Sequence, residues 1–537
     1  MRRKLALLLI GIMLLTGCGS PILKNTENLE SETTTQNSEA DTEQESETQK
    51  SEIEDTTESP VEDDVTESDT EENTEVESEN QTAGTESNPN EGEPNDDKPD
   101  DSKPEGNTPN DNMPDDSEPS DSEQQPDTES SEKAEPDTPV VEAHYDVPKV
   151  YIYTNGNEIN TESYTGCKIV IVEEKGEAST TLTDASSKIK IRGNSTSGAD
   201  KKPFNIKFSE KTDVLGMGKN KKWSLLANCF DKTLIRNQVV FDVAKVLNIP
   251  YTPDYRVVDV YVDDVLQGCY LLVDSIEVGS TRVDIDTTGN EFLLELDYNP
   301  EDPDCKYLTT SKYNIKFAIN EPELADLTTD QIQYVTTFLR QAESALASGN
   351  MKEIEKYFDI DSMASFYLIQ EFFRNVDVAT SSTRFHIKDG KIYGGPVWDF
   401  DLSAGNYCED YYTNMYDRNG NSYAGLYATK MPWFGALTKI EEFQDIVNQK
   451  FLANQALFVN LYADNELGQN HIDETIDTYK ESFDRNHEEA GWDPSKIYKE
   501  GFIAERTPDA TYEANVEFYR NWLKQRNEWL LKEWGLD

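Results

Sequence analysis

Histidine is scarce in this chain: four residues in 537. So few imidazoles leave little room for His-rich metal sites or multi-histidine catalysis. Cysteine is scarce too, with six residues at Cys18, Cys167, Cys229, Cys269, Cys305 and Cys408. None has zinc-ligand spacing, and setting Cys18 aside leaves an odd number that suggests no disulfide framework. Positive charge is outweighed about two to one, 49 Lys+Arg against 106 Asp+Glu, for a formal net charge of −57. That balance argues against nucleic acid as a partner, because nucleic-acid binding wants a basic face. No Gly-x-Ser-x-Gly nucleophile elbow occurs. Gly216-Met217-Gly218-Lys219 lacks the upstream Gly and the Ser/Thr of a phosphate-binding loop and reads as a turn. No internal repeat is present.

Absence is also regional. Residues 19–143 contain no Phe, Trp or Tyr, and hold 42 Asp+Glu against 5 Lys. Such a tract cannot bury enough apolar surface to offset its chain entropy, and its charges repel. It reads as a disordered acidic tether, rich in Ser, Thr and Pro, whose ends average roughly 60 Å apart as a flexible chain. Acid-flanked Ser117 and Ser122 within it are candidate modification sites. Ahead of the tether, residues 1–18 read as a secretion signal. Arg2, Arg3 and Lys4 precede the apolar run Leu5–Leu15, which is too short to span a bilayer comfortably. Leu15-Thr16-Gly17-Cys18 resembles a bacterial lipobox, in which the Cys becomes the lipidated first residue. The expectation is a lipid anchor at Cys18 on the outer face of a bacterial membrane.

Residues 144–537 are the expected folded part, about 390 residues, enough for one two-lobed domain or two domains. The first half is strand-rich: Val150–Tyr153, Lys168–Val172, Ser187–Arg192, Phe204–Phe208, Lys222–Asn228, Val257–Val262, Gly268–Val273 and Phe292–Leu296 show β-branched or alternating runs. Asp231 reads as the N-cap of a helix from Lys232 to Leu247 with the stripe Ile235, Val239, Val243 and Val246. Arg236 and Asn237 would then lie at that helix's surface. Arg192-Gly193-Asn194-Ser195 reads either as a phosphate-facing loop, with Gly allowing close backbone approach, or as a plain hairpin turn. Lys207, on the alternating strand that follows, could read a phosphate. The second half is helical: Thr329–Ser348, Asp361–Arg374, Phe434–Tyr462, Ile472–Asn486 and Tyr512–Trp534.

One stretch organises the rest. An apolar helix carrying Phe366, Ile369, Phe372 and Phe373 on one face ends at Asn375-Val376-Asp377. A hairpin, Arg384–Lys388 and Lys391–Tyr393, turns at Asp389-Gly390. Gly395-Pro396-Val397-Trp398-Asp399-Phe400-Asp401 then leaves the core. Asp377, Asp399 and Asp401 could gather around Mg²⁺, a hard cation that takes oxygen ligands; the plainer reading is three acids capping turns. An Asp after a helix, a hairpin, then Asp-Phe-Asp is also how protein kinases place a catalytic and a metal-binding Asp.

These motifs, together with Leu226-Ala227-Asn228, Tyr270-Leu271-Leu272 and Asp274-Ser275-Ile276, resemble the CotH family of spore-coat-protein kinases over roughly residues 148–535. The resemblance implies an α+β, two-lobed atypical protein-kinase-like fold, with a strand-rich N-lobe and a helical C-lobe. It implies ATP and Mg²⁺ as cofactors, and a protein substrate phosphorylated on Ser or Thr, with acid-flanked Ser a candidate. By the same resemblance Asp377 matches the catalytic Asp, Asp399 the metal-binding Asp, and Asp401 its second acid. Lys207, then Lys202, match the nucleotide lysine, with Arg192 toward the phosphates. Asp274 stands where the family has Glu, at a position that implies a ribose or hinge contact with the nucleotide, and Thr380-Ser381-Ser382-Thr383 stands where kinases have a metal-binding Asn. The competing function is a non-catalytic cell-surface structural or binding module with the same fold.

Overall fold

The computed structural model describes residues 146–175, 178–299, 301–406, 423–494 and 511–537. The signal segment, Cys18, the acidic tether and Cys408 lie outside the described residues. Among the described residues no helix is long and apolar enough to cross a membrane, and Cys167, Cys229, Cys269 and Cys305 are free thiols.

Seven strands form first: Lys149–Tyr153 (β1), Thr165–Lys175 (β2), Ala178–Ile191 (β3), Phe204–Asp213 (β4), Lys219–Leu226 (β5), Tyr255–Val262 (β6) and Val265–Asp274 (β7). They close a barrel in the order β1-β2-β3-β4-β5-β7-β6. Alternation along each strand sends one set inward, so Val150, Ile169, Ile189, Ile206, Trp223, Val258 and Leu272 fill the barrel. Closure is by a parallel pairing of β1 with β6. Asp263 and Asp264 turn β6 into β7 with φ of 46° and 65°, the left-handed pair that a two-residue hairpin loop needs.

The helix after β5 starts later than its sequence suggests, at Arg236–Val246 (α1). The Asp231 carboxylate accepts from Thr233 N at 2.9 Å and Arg236 N at 2.8 Å, which winds residues 231–235 into a tight turn. Leu234 sits at φ 65° inside that turn, a conformation no right-handed helix contains. Asp231 therefore braces a loop, and Ile235 is the N-cap. Val246 is 53% exposed and leaves the apolar stripe.

A second sheet gathers Phe292–Leu296 (β8), Lys306–Thr309 (β9), Lys316–Glu321 (β10), Thr383–Lys388 (β11) and Lys391–Gly394 (β12). Its order is β12-β11-β8-β10-β9, with antiparallel pairs throughout. The class is α+β, as expected. The first half is strand-rich and the second mostly helical, and the expected hairpin β11–β12 in the second half joins the sheet begun by β8.

The remaining helices pack on this sheet or on the barrel, the one spanning His471–Glu488 lying against β6 and β7. They are Thr329–Ala347 (α2), Met351–Ile354 (α3), Ile360–Phe372 (α4), Pro432–Leu437 (α5), Glu441–Ala453 (α6), Gln455–Asn460 (α7), His471–Glu488 (α8) and Tyr512–Glu533 (α9). A capping box between Thr328 and Gln331 starts α2. The sequence suggests one apolar face for α4, yet every residue of it except Asp361 is buried. It is the helix the other elements pack around, and a helix wrapped on all sides in this way belongs to the centre of a large core. Its buried Glu371 pairs with buried Arg526 of α9 at 2.6 Å.

Behind the chain that leads to Asp399, buried His386 of β11 lies 3.1 Å from the Gly395 carbonyl. A carbonyl only accepts, so Nδ1–H donates. Burial pushes the His386 pKa down to about 4. The unfolded imidazole titrates near 6.5, so below that pH the unfolded chain binds a proton that the fold refuses. Stability from this group is complete above pH ~6.5 and is lost as pH falls toward 4, by up to about 3 kcal/mol. His386→Gln keeps a donor to Gly395 and removes the titration. The fall in its thermal midpoint between pH 7 and 4.5 is expected to be smaller than that of the native chain, and equal falls would refute this role.

Candidate active site

A cleft of about 920 Å³ is lined by the end of β3 and its loop, the segment after β5, the loop after α4, and the stretch around Asp399. Arg192, Gly193, Asn194, Ser195 and Thr196 form one wall. Gly193 has φ 92°, and a Cβ there would stand 2.0 Å from Thr196 Oγ1, so the loop folds this tightly only with glycine. Gly193→Ala is expected to destabilise the chain by about 1–2 kcal/mol through φ strain plus the clash. Adding Thr196→Ala should relieve the clash and recover only part of the loss in a thermal unfolding series.

The other wall is acidic. Asn375 starts a tight turn by accepting from Asp377 N at 3.1 Å, and the Asp377 carbonyl accepts from Thr380 N and Ser381 N at 2.8 and 3.0 Å. The Asp377 side chain accepts no hydrogen bond from a described residue. Burial, then the charge of Asp399, pushes its pKa up to about 7. Asp399 has φ 65° and accepts from Ser382 Oγ at 2.9 Å. Asp401 is 7% exposed, and burial followed by the charges of Asp399, Asp377 and Asp231 pushes its carboxyl well above the usual range. The cation opposing this is Arg192, whose guanidinium lies 5.4 Å from the Trp398 ring centroid; Arg384 lies 5.7 Å from the same ring.

What fixes the acidic wall was misjudged from sequence. Arg236 and Asn237 are buried, at 1% and 3% exposure, and do not lie at a helix surface. Asn237 Oδ1 accepts from Phe400 N at 2.8 Å, which clamps the backbone between the two acids. Arg236 pairs with Asp231 and donates through Nε to the Ser403 carbonyl at 3.2 Å. Asn406 Nδ2 bonds the Phe230 and Asp401 carbonyls, each at 2.7 Å. The segment after β5 therefore holds the Asp-Phe-Asp stretch in place.

The structure brings Arg192, Asp377, Asp399 and Asp401 to one cleft and leaves the other expected residues outside its lining. Lys207 is on the same barrel face as Asn205, which does line the cleft, but one step further along β4. The lysine in the lining is Lys190, which pairs with Asn205 across β3 and β4. Its spacing of two from Arg192 was the available signal. Lys202 donates to the Ser197 carbonyl at 3.0 Å and braces the loop. Asp274 is bound by Arg282 at 3.1 Å, and burial pushes its pKa up to about 6. Ser382, from the stretch 380–383 that stands where kinases have a metal-binding Asn, also lines the cleft, as does Arg384, which carried no sequence signal.

Among the described residues no three His, Cys, Asp or Glu side chains are gathered into a ready metal cage. The acids instead form a loose set that fits a cation held partly by something else. Mg²⁺ suits this, since it is held by one or two carboxylates plus substrate phosphates and water. The Asp401 side chain accepts no hydrogen bond from a described residue and is repelled by the neighbouring carboxylates, a strain that a divalent cation would offset.

An α+β fold with a glycine-bearing loop and an Arg facing two Asp segments defines a cleft suited to phosphate chemistry. The CotH kinase protein family matches residues 189–530, and the chain belongs to that family. No curated protein matches the chain significantly.

Proposed function

We propose that the chain transfers the γ-phosphoryl group of Mg²⁺·ATP to a Ser or Thr hydroxyl of a secreted or surface protein. The observation that supports this best is Asp377. It is a carboxylate with no donor among the described residues, its pKa raised to about 7 by burial and then by the charge of Asp399, in the same cleft as Asp399 and Asp401. A general base works best with a pKa near the operating pH. Asp377 takes the proton as the substrate oxygen forms its bond to the γ-phosphorus. The bond from that phosphorus to the bridging oxygen breaks, and ADP leaves with the electron pair. Asp399, with Asp401, would hold Mg²⁺, which supplies charge neutralisation on the phosphates when bound. Arg192 and Lys190, both in the lining, would neutralise the phosphate oxygens, where catalysis is mostly positioning and charge stabilisation.

The lipobox at Cys18 and the acidic tether support an address at the outer face of a bacterial membrane, with the catalytic part held away from the lipid. Full chain incubated with γ-labelled ATP, Mg²⁺ and Ser peptides, acid-flanked and neutral, is expected to label peptide; Asp377→Ala is expected not to. Absence of label with the native chain would favour the binding-module reading.

A further inference from the structure

Ser382 and Asp399 are both non-glycine residues in the left-handed region, at φ 58° and 65°. Such conformations cost of order 1–3 kcal/mol each and persist where the surroundings over-determine them. Here they face each other, and Ser382 Oγ lies 2.9 Å from Asp399 Oδ2. The carboxylate can only accept, so the hydroxyl donates. The backbone on both sides is fixed independently. Ser381 N is tied to the Asp377 carbonyl at 3.0 Å, Thr383 enters β11 opposite Leu296, and Phe400 N is held by Asn237. With the backbone set, the remaining freedom of Asp399 is its side-chain rotation, and Ser382 removes it.

Resting on the phosphoryl-transfer reading, we propose that Ser382 is a positioning residue that sets which divalent cation the cleft accepts. With Oδ2 engaged by the hydroxyl, Oδ1 is the oxygen offered to the cation. Single-oxygen ligation suits Mg²⁺, which demands a compact octahedron completed by phosphate and water. Ca²⁺ takes more oxygens and readily uses a carboxylate through both of its own. Ser382 thus acts through Asp399, in the way outer ligands commonly tune a metal site.

The test is calorimetric titration of the full chain with a non-transferable ATP analogue in Mg²⁺ or in Ca²⁺, with thermal unfolding as a folding control. The native chain is expected to prefer the Mg²⁺ complex. Ser382→Ala and Ser382→Gly should each weaken that complex about tenfold, on the scale of lost outer-ligand contacts, and change the Ca²⁺ complex less than about twofold by the same argument. Glycine separates the hydroxyl from backbone strain, because it accepts φ 58° freely. Ser382→Asn, which tolerates the left-handed region and restores a donor, should recover the preference. An unchanged Mg²⁺-to-Ca²⁺ ratio in Ser382→Ala and Ser382→Gly overturns the role of Ser382 alone, as does a glycine variant that behaves like the native chain. A native chain that binds the analogue with neither cation overturns the phosphoryl-transfer reading and this inference with it.

Discussion

Asp377→Asn is expected to lower phosphoryl transfer by about 10²–10⁴-fold, the usual contribution of a positioned base, and to leave Mg²⁺·ATP affinity nearly unchanged. The asymmetry follows from where the carboxylate sits. Asp377 comes from the turn after α4, whereas Asp399 and Asp401 come from the stretch clamped by Asn237 and Asn406. Asparagine has almost the same shape and keeps the turn, whose hydrogen bonds use backbone atoms and Asn375. It cannot take a proton. It also removes one of the charges that raise the Asp401 carboxyl, so the metal side of the cleft is relieved rather than damaged. Steady-state transfer rates with calorimetry on the same preparation check this. A parallel fall in nucleotide affinity would mean that Asp377 is a ligand and not a base.

The second large effect concerns stability. Arg526→Met is expected to cost about 3–5 kcal/mol, the range for breaking one side of a buried ion pair. Arg526 and Glu371 are both fully buried. Arg526 donates to Glu371 Oε1 at 2.6 Å, to the Glu371 carbonyl at 2.7 Å, and to the Tyr423 and Gly425 carbonyls at 2.6 and 3.0 Å. Glu371 in turn accepts from Tyr427 N and Ala428 N at 2.8 and 2.9 Å. One pair therefore joins α4, α9 and residues 423–428. Removing the guanidinium strands a buried carboxylate and leaves carbonyls without donors. For a folded part of this size the loss is roughly 5 °C in thermal midpoint. Adding Glu371→Gln should recover part of it, because the amide oxygen still accepts from Tyr427 while the stranded charge is gone. A single-variant shift under about 1 °C, well below that expectation, would mean that the buried pair does not hold these elements together.

Local chemistry was well written in the sequence. The run Phe292–Leu296 gives β8 to the residue, and Asp389-Gly390 turns β11 into β12 with φ of 50° and 72°. The aspartates of the cleft were legible because a helix end and a strand exit each announce themselves locally. Closure of the barrel was not, because β1 meets β6 about a hundred residues away and neither strand records its partner. β9 has four residues, none of them buried, and so shows little apolar pattern. Lys207 falls outside the cleft lining for a related reason. Alternation gives the face of a strand, but which rung of that face meets the cleft depends on register, and β3–β4 pairing puts Lys190 and Asn205 there. Asp231 looked like a helix cap and nothing local announced the ion pair of Asp274, because Arg236 and Arg282 reach them only after the chain turns back.

Phosphoryl transfer as proposed requires this cleft to hold a magnesium nucleotide through Asp399. Calorimetry of ATP binding to the full chain, with and without Mg²⁺, tests it against Asp399→Asn. Metal-dependent binding is expected in the native chain and loss of that dependence in the variant, since a neutral amide replaces the charged oxygen ligand. Equal Mg²⁺·ATP affinity in both proteins would contradict it.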